Sequence, residues 1–471
     1  MKKIIIMAFS IMLILNIAGC ADDTQLAEKA NTAGITFTDD SGKVVQMDEP
    51  AQRIISLYSA HTENLFSLGL NEEIIGVYKS DAYPPQVRGK QIFDYRSDPE
   101  KVIAAEPDLV LIRPFIKNSS PEFVDALEKA GINVVSLYPE KYEDFQPYLE
   151  KLALLTGKEE EGAQLLDKFY SELAEIQQAV RDIRPKAGVY FEATETNYRT
   201  ITPDSIPAHA INFAGGVNIA SDAEPLREGT SIAAYGAERI LEKAEEIDIY
   251  VAQSGAMNSG GNPEAIRNRP GFSAIKAVRD NKIYNIDEKL VSSPTFRFAK
   301  GVKELSRMFY PRIWDDLSKY NNADSITRAQ MAEITVLFKH QPIFSPTAKH
   351  YESSAGHVYG TFKDVLTTQP GFDYIETAVL SGFINDFGDE FRPDENITRE
   401  NLAEILLLLT GPADSPTKVV VKDLNKCRAP QKVQLVIDNG LLNVEDGLFN
   451  PEKLVTGQEV IQALQKITNK F

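Results

Sequence analysis

Cysteine is almost absent: Cys20 and Cys427 are the only two in 471 residues. No disulfide framework is therefore implied, and there is no CxxC pair for redox or zinc chemistry. Histidine is nearly as scarce, with only His61 and His209 between residues 36 and 316. Bare Zn²⁺ or Mn²⁺ wants a closed set of histidines and carboxylates, so no metal site is expected. Acidic residues outnumber basic ones, 68 against 50, and a net charge of −18 argues against a nucleic-acid partner, which would need a basic face. HExxH, GxSxG and the phosphate-cradling P-loop are all missing. No catalytic residue and no cofactor are expected, and the chain does not read as an enzyme. No apolar run reaches membrane-spanning length either. Ile4 to Ile17, interrupted by Ser10 and Asn16, is too short and follows the charged pair Lys2-Lys3.

That run has another meaning. It ends Ile17-Ala18-Gly19-Cys20, which resembles a bacterial lipobox, where small residues precede a cysteine that takes lipid. The resemblance implies a signal peptide over 1–19, lipidation at Cys20 and a membrane anchor on the outer face of the cell. A polar tether occupies 20–35. The remainder is too long for one hydrophobic core, and two to four domains are expected.

The chain then settles into a repeating grammar. Phe37 to Val45 reads as a hairpin turning at Asp40 to Gly42. In RIISLYSAHTENLFSLGLNEEIIGV (Arg53 to Val77), a short apolar strand is followed by a turn at Tyr58 to Thr62, a helix closed by Gly69, and another strand. A turn between strand and helix is where ligands bind in parallel α/β sheets, and Glu63 is placed in the first helical turn. PEKVIAAEPDLVLI (Pro99 to Ile112) gives a helix, an acidic break and a buried strand, and Pro121 to Ala130 and Val134 to Leu137 continue the alternation. Lys158 to Ile183 is one long amphipathic helix, on the order of 40 Å, either a bridge between domains or a packing helix. After Pro185 the grammar returns. AERILEKAEEIDIYVA (Ala237 to Ala252) repeats the pattern of Pro99 to Ile112, so two similar lobes are expected, the second closed by a helix over Phe296 to Phe309. Beyond Trp314 come units of roughly fifty residues, with Phe391 or Phe449 before proline and a Thr-led helix start at 326–330, 397–400 and 455–459.

The segment 36–316 resembles the substrate-binding proteins of ABC importers for iron–siderophores and cobalamin. Arg53 to Val77, the Tyr83-Pro84-Pro85 loop, EKVIAAEPDLVLI and AERILEKAEEIDIYVA carry the likeness. It implies an α/β fold of two Rossmann-like lobes (about 50–140 and 186–316) joined by a single long helix (158–183), with ligand held between them. It also implies an ABC permease dimer with its ATPase as partner, docked through one carboxylate per lobe, by motif position Glu63 and Glu238. The C-terminal units resemble S-layer homology (SLH) repeats: a partial one at 320–340, one at 361–410 and a degenerate one at 418–471, together a small, mainly α-helical domain. The likeness implies binding to a secondary cell-wall polymer, with Arg328 and Arg399 as candidate contacts; the third copy lacks the arginine, which puts a third groove in doubt.

Large chelates need aromatic surface for their organic body and arginine for carboxylate or catecholate charge. The expected cleft loops supply Tyr58, Tyr83, Tyr95, Arg96, Arg113, Tyr198, Arg199 and Arg297, and His61 could ligate haem iron or corrinoid cobalt. The reading is thus a wall-associated, lipid-anchored protein that captures a ferric siderophore-type chelate. A corrinoid or haem is the alternative cargo, and a structural or adhesive surface protein without transport is the second alternative.

Overall fold

The computed structural model describes residues 34–227, 229–343, 361–366, 369–385, 388–411 and 418–468; the signal peptide, Cys20 and the tether lie outside them. Strands β1 (Ile35–Thr38) and β2 (Val44–Met47) form the hairpin expected at the start. They lean on the first lobe, where the Asp39 carboxylate accepts from Ser136 N–H. That lobe is a five-stranded sheet of β3 (Ile54–Ser56), β4 (Ile74–Tyr78), β5 (Gln91–Phe93), β6 (Leu109–Ile112) and β7 (Asn133–Ser136), in the order β5-β4-β3-β6-β7. All its ladders are parallel. The central strands are apolar without alternation because helices cover both faces; β6 is buried at all four positions.

The bridging helix runs Glu159–Val180, 22 residues, or about 33 Å at 1.5 Å per residue. It buries Leu166, Phe169, Leu173, Ile176 and Val180, the stripe set by its 3.6-residue period. The second lobe holds β8 (Gly188–Glu192), β9 (Thr200–Ile201), β10 (Val217–Asn218), β11 (Ile232–Ala233), β12 (Ile249–Ser254) and β13 (Ile283–Asp287). Four of these make a parallel sheet, β10-β8-β12-β13, and β9 pairs antiparallel with β11. The closing helix, Phe298–Phe309, packs on both the bridging helix and the Ile206–Phe213 helix. At this hinge Tyr142, Phe145, Phe169, Phe213, Phe296 and Phe298 interlock with ring centroids 4.9–6.3 Å apart. One apolar core therefore runs through both lobes.

The C-terminal units pack together as expected, and the structure explains their pattern. In the first two units the threonine caps its own helix: Thr327 accepts from Gln330 N–H and Thr398 from Asn401 N–H. Each following arginine reaches to the next unit. Arg328 donates through Nε to the Phe391 carbonyl (2.6 Å), and Arg399 to the Phe449 carbonyl (2.7 Å). Each guanidinium also lies 5.0 Å from the ring of that buried phenylalanine. The Phe-x-Pro turn of one unit is thus clamped by the arginine of the unit before it. At the third start Gly457 N–H donates to Ala323 O of the chain entering the first unit, closing the ring. A Cβ on Gly457 would lie 1.7 Å from the Tyr320 carbonyl oxygen. Close backbone approach, not decay of a motif, is the reason the arginine is missing there.

This domain also docks on the lobes. Lys300 pairs with Asp373 at 2.7 Å. Arg307 is buried between Glu304 and Asp315; Asp315 also meets His340 at 2.6 Å, and Glu304 accepts from Ile343 N–H.

Candidate functional site

The helix after β3 begins at Ser59 rather than near Thr62, with Tyr58 as its N-cap. This shift of about one turn changes the meaning of two residues. His61 falls in the first turn and points inward, fully buried. Its Nε2 donates to the Ile112 carbonyl (3.1 Å) and its Nδ1 accepts from the Tyr148 hydroxyl (2.7 Å). Burial pushes its pKa down to about 4, with Arg113 adding to the effect. A neutral imidazole with both nitrogens engaged has no lone pair for iron or cobalt, so the expected ligand role of His61 is corrected. Glu63, expected as an exposed docking carboxylate, lies in the second turn and is 5% exposed. It accepts two hydrogen bonds from Arg297, at 2.9 Å from Nε and 2.7 Å from the terminal nitrogen. Burial works against the Arg297 charge, and Glu63 more than offsets it, so the guanidinium titrates above its ordinary value. Neither side chain is left over for a permease or a free anion. Together with the Asn64 side chain donating to the Pro294 carbonyl (2.9 Å), the pair stitches the first lobe to the second.

Tyr95 is a third correction. It is buried and stacked on Tyr78 at 5.5 Å inside the lobe core. Its neighbour Arg96 is exposed and covers the outside of that ring.

The other candidates sit just past the C-terminal ends of strands, where a parallel sheet presents its loops. After β3, β6 and β7 stand Tyr58, Arg113 and Tyr138. The Arg113 guanidinium is 5.0 Å from the Tyr58 ring, and the two tyrosine rings are 5.9 Å apart. After β8 come Tyr198, against Phe272 at 5.4 Å, and Arg199. Among the described residues no carboxylate pairs with Arg96, Arg113 or Arg199, whereas Arg297 is spent on Glu63 and Arg269 on the buried Glu192. Tyr138 and Arg269 went unrecognised in the sequence. Tyr138 follows the strand Val134 to Leu137 and could have been found by the same strand-end rule; Arg269 lies in a loop with no local signal.

Between the lobes lies a cavity of about 1260 Å³. Ser59, Ser80 and Tyr83 line it from the first lobe, and Ser254, Ala256 and Lys289 from the second. Tyr83 lies against Arg297, whose guanidinium is 4.0 Å from the ring centroid. Among the described residues no group of three or more His, Cys, Asp or Glu is placed to hold a metal ion.

Glu238 is exposed in the first turn of the Ala237–Glu242 helix, which leads toward β12. Its counterpart in the first lobe is Glu100. That residue is exposed in the first turn of the Glu100–Ile103 helix, which leads toward β6 by the same helix, break and strand grammar. The internal repeat of Pro99 to Ile112 and Ala237 to Ala252 makes Glu100, not Glu63, the equivalent of Glu238. In the C-terminal domain, Arg399 is only 3% exposed and Glu459, the Asn443 carbonyl and Phe449 occupy its guanidinium. It is corrected from a wall contact to a structural clamp. Arg328 is a clamp that also borders a groove of about 700 Å³ with Arg392, Arg428 and Lys432. Burial, with Arg392 next, pulls its pKa down to about 10.

The profile of the family described as "Periplasmic binding protein" matches residues 54–290, and that described as "S-layer homology domain" matches 361–403. The uncharacterized ABC transporter substrate-binding lipoprotein YvrC of Bacillus subtilis is 26% identical over 321 residues, covering 66% of this chain and 98% of its own. A vitamin B12-binding protein of Vibrio campbellii is 26% identical over 262 residues, 55% of this chain and 90% of its own. The crystal structure of a possible iron-binding (periplasmic solute-binding) protein from Staphylococcus epidermidis shares 27% identity at a TM-score of 0.49, covering 56% of this chain and all of that one.

Proposed function

The chain belongs to the periplasmic binding protein family and carries an S-layer homology domain, and from that premise we propose that it captures a metal chelate between its lobes and delivers it to an ABC permease. The observation that supports the ligand class is the set of guanidinium groups with no ion-pair partner among the described residues: Arg113 beside Tyr58, and Arg96 and Arg199 in the loops that follow β5 and β8. Such groups pair with carboxylate, catecholate or hydroxamate oxygens, and the rings cover an organic body. The interlobe cavity of about 1260 Å³, lined by Ser59, Ser80, Tyr83 and Lys289 rather than by these arginines, exceeds the usual range for drug-sized ligands and would take a large chelate. Such a cargo would not be ligated by His61.

Glu100 and Glu238 are the docking carboxylates of this reading, one exposed at a helix start on each lobe, where arginines of a permease could pair with them. The Cys20 lipid would hold the protein at the membrane, and an anionic wall polymer would meet the groove of Arg328, Arg392, Arg428 and Lys432, exchanging with the Glu395, Glu400 and Glu404 carboxylates that now pair with the last three. No catalytic step is assigned to any residue. Fluorescence titration of the purified protein with a ferric trihydroxamate, cyanocobalamin and haemin tests the ligand class. One of them is expected to saturate at one per chain, with weaker binding on Arg113→Ala. Saturation by none would reject the class.

A further inference from the structure

The interlobe cavity has a side that the two-lobed family does not account for. Beyond lobe residues, it is lined by Thr377, Leu380, Ser381 and Phe383 of the C-terminal domain. Leu380 ends the Phe372–Leu380 helix and is 41% exposed, an apolar side chain on a cavity wall. The helix is held there at its other end. Asp373 in its first turn pairs with Lys300 of the closing helix, and Lys300 adjoins Tyr83 and Arg297 in a second, smaller cavity of about 360 Å³. The buried Glu304–Arg307–Asp315 cluster, joined by His340 and the Gln341–Ile343 backbone, fixes the entry of the same domain against the same helix.

We propose that this helix of the SLH unit is a third wall of the ligand cleft. A chelate held by the two lobes would then also touch the wall-binding domain through Leu380 and the Ser381 hydroxyl. This inference rests on the binding reading above, and it goes further. Ligand affinity becomes coupled to the placement of the domain that grips the cell wall, because both depend on one junction. A bound ligand favours the docked arrangement, and pulling the domain away weakens ligand binding by the same factor.

Two experiments on the full-length chain test it. In the first, Leu380→Trp is titrated with the ferric trihydroxamate, cyanocobalamin and haemin, with the one natural tryptophan, Trp314, as baseline. The introduced indole is expected to lose most of its emission as binding saturates, since all three are strong quenchers. Saturable binding that leaves the indole emission unchanged would overturn the third wall while sparing the two-lobe reading. In the second, which needs no ligand, Ser381→Cys is combined with Ala256→Cys after both natural cysteines are replaced by serine. A bismaleimide long enough to span the cavity is expected to join the pair intramolecularly. Absence of that cross-link would overturn the proposal whether or not any chelate binds, and binding by none of the three would reject the ligand class alone.

Discussion

Arg297→Met would leave the Glu63 carboxylate buried without its cation, where an ion pair broken on one side costs about 3–5 kcal/mol. Chemical denaturation should show a loss of that size, whereas Glu100→Ala, at an exposed helix start, should stay within about 0.5 kcal/mol of wild type. His61 makes a separate prediction. Its folded pKa, about 4, lies below the ordinary 6.5, so its contribution to stability is complete above 6.5 and is lost as pH falls toward 4. A shift of that size is worth about 3 kcal/mol. Asp81 acts in the opposite sense: burial raises its pKa to about 6 against the hydrogen bonds from Thr62 and Ser59, so its contribution grows as pH falls from 6 toward 3.8. The two nearly offset one another in the wild type. His61→Gln, although less stable at neutral pH, should therefore gain on the wild type by up to about 3 kcal/mol between pH 6.5 and 4. Parallel curves for the two proteins would show that His61 titrates normally.

At the scale of elements, the ring of three C-terminal units depends on interlocking starts. Gly457→Ala would drive a methyl group into the Tyr320 carbonyl and should destabilise that domain by about 1–3 kcal/mol, read as an earlier unfolding step in calorimetry. A midpoint unchanged from wild type would mean the ring is not closed there. The same scale shows what the sequence could tell. Strands β3, β6, β8 and β12, the bridging helix, the Gly69 helix end and the closing helix all follow from apolar periodicity, Pro and Gly, because those signals are local. The start of the helix after β3 did not. Ser59 and Thr62 are both plausible starts, and nothing local decides that His61 and Glu63 will find Tyr148 and Arg297, 87 and 234 residues away. One turn of helix converted two expected surface groups into core ones. The arginines of the Thr-Arg starts were misread for a related reason: their partners, the carbonyls of Phe391 and Phe449, belong to the next unit.

At the scale of the whole molecule, two lobes fused through an aromatic hinge bear a cleft, and an SLH domain is seated along one side of it. Family membership and the order of domains were legible from motifs, since the internal repeat and the Thr-Arg starts survive in the residues themselves. The seating of the C-terminal domain was not, because it depends on Lys300 and Asp373 and on charges buried only after folding. Delivery to a permease is the claim that joins these parts, and uptake of labelled chelate by cells carrying Glu100→Ala together with Glu238→Ala tests it most directly. The account predicts that the purified variant binds chelate as tightly as wild type while cellular uptake falls to the level of a strain lacking the protein. Uptake at the wild-type rate would contradict it.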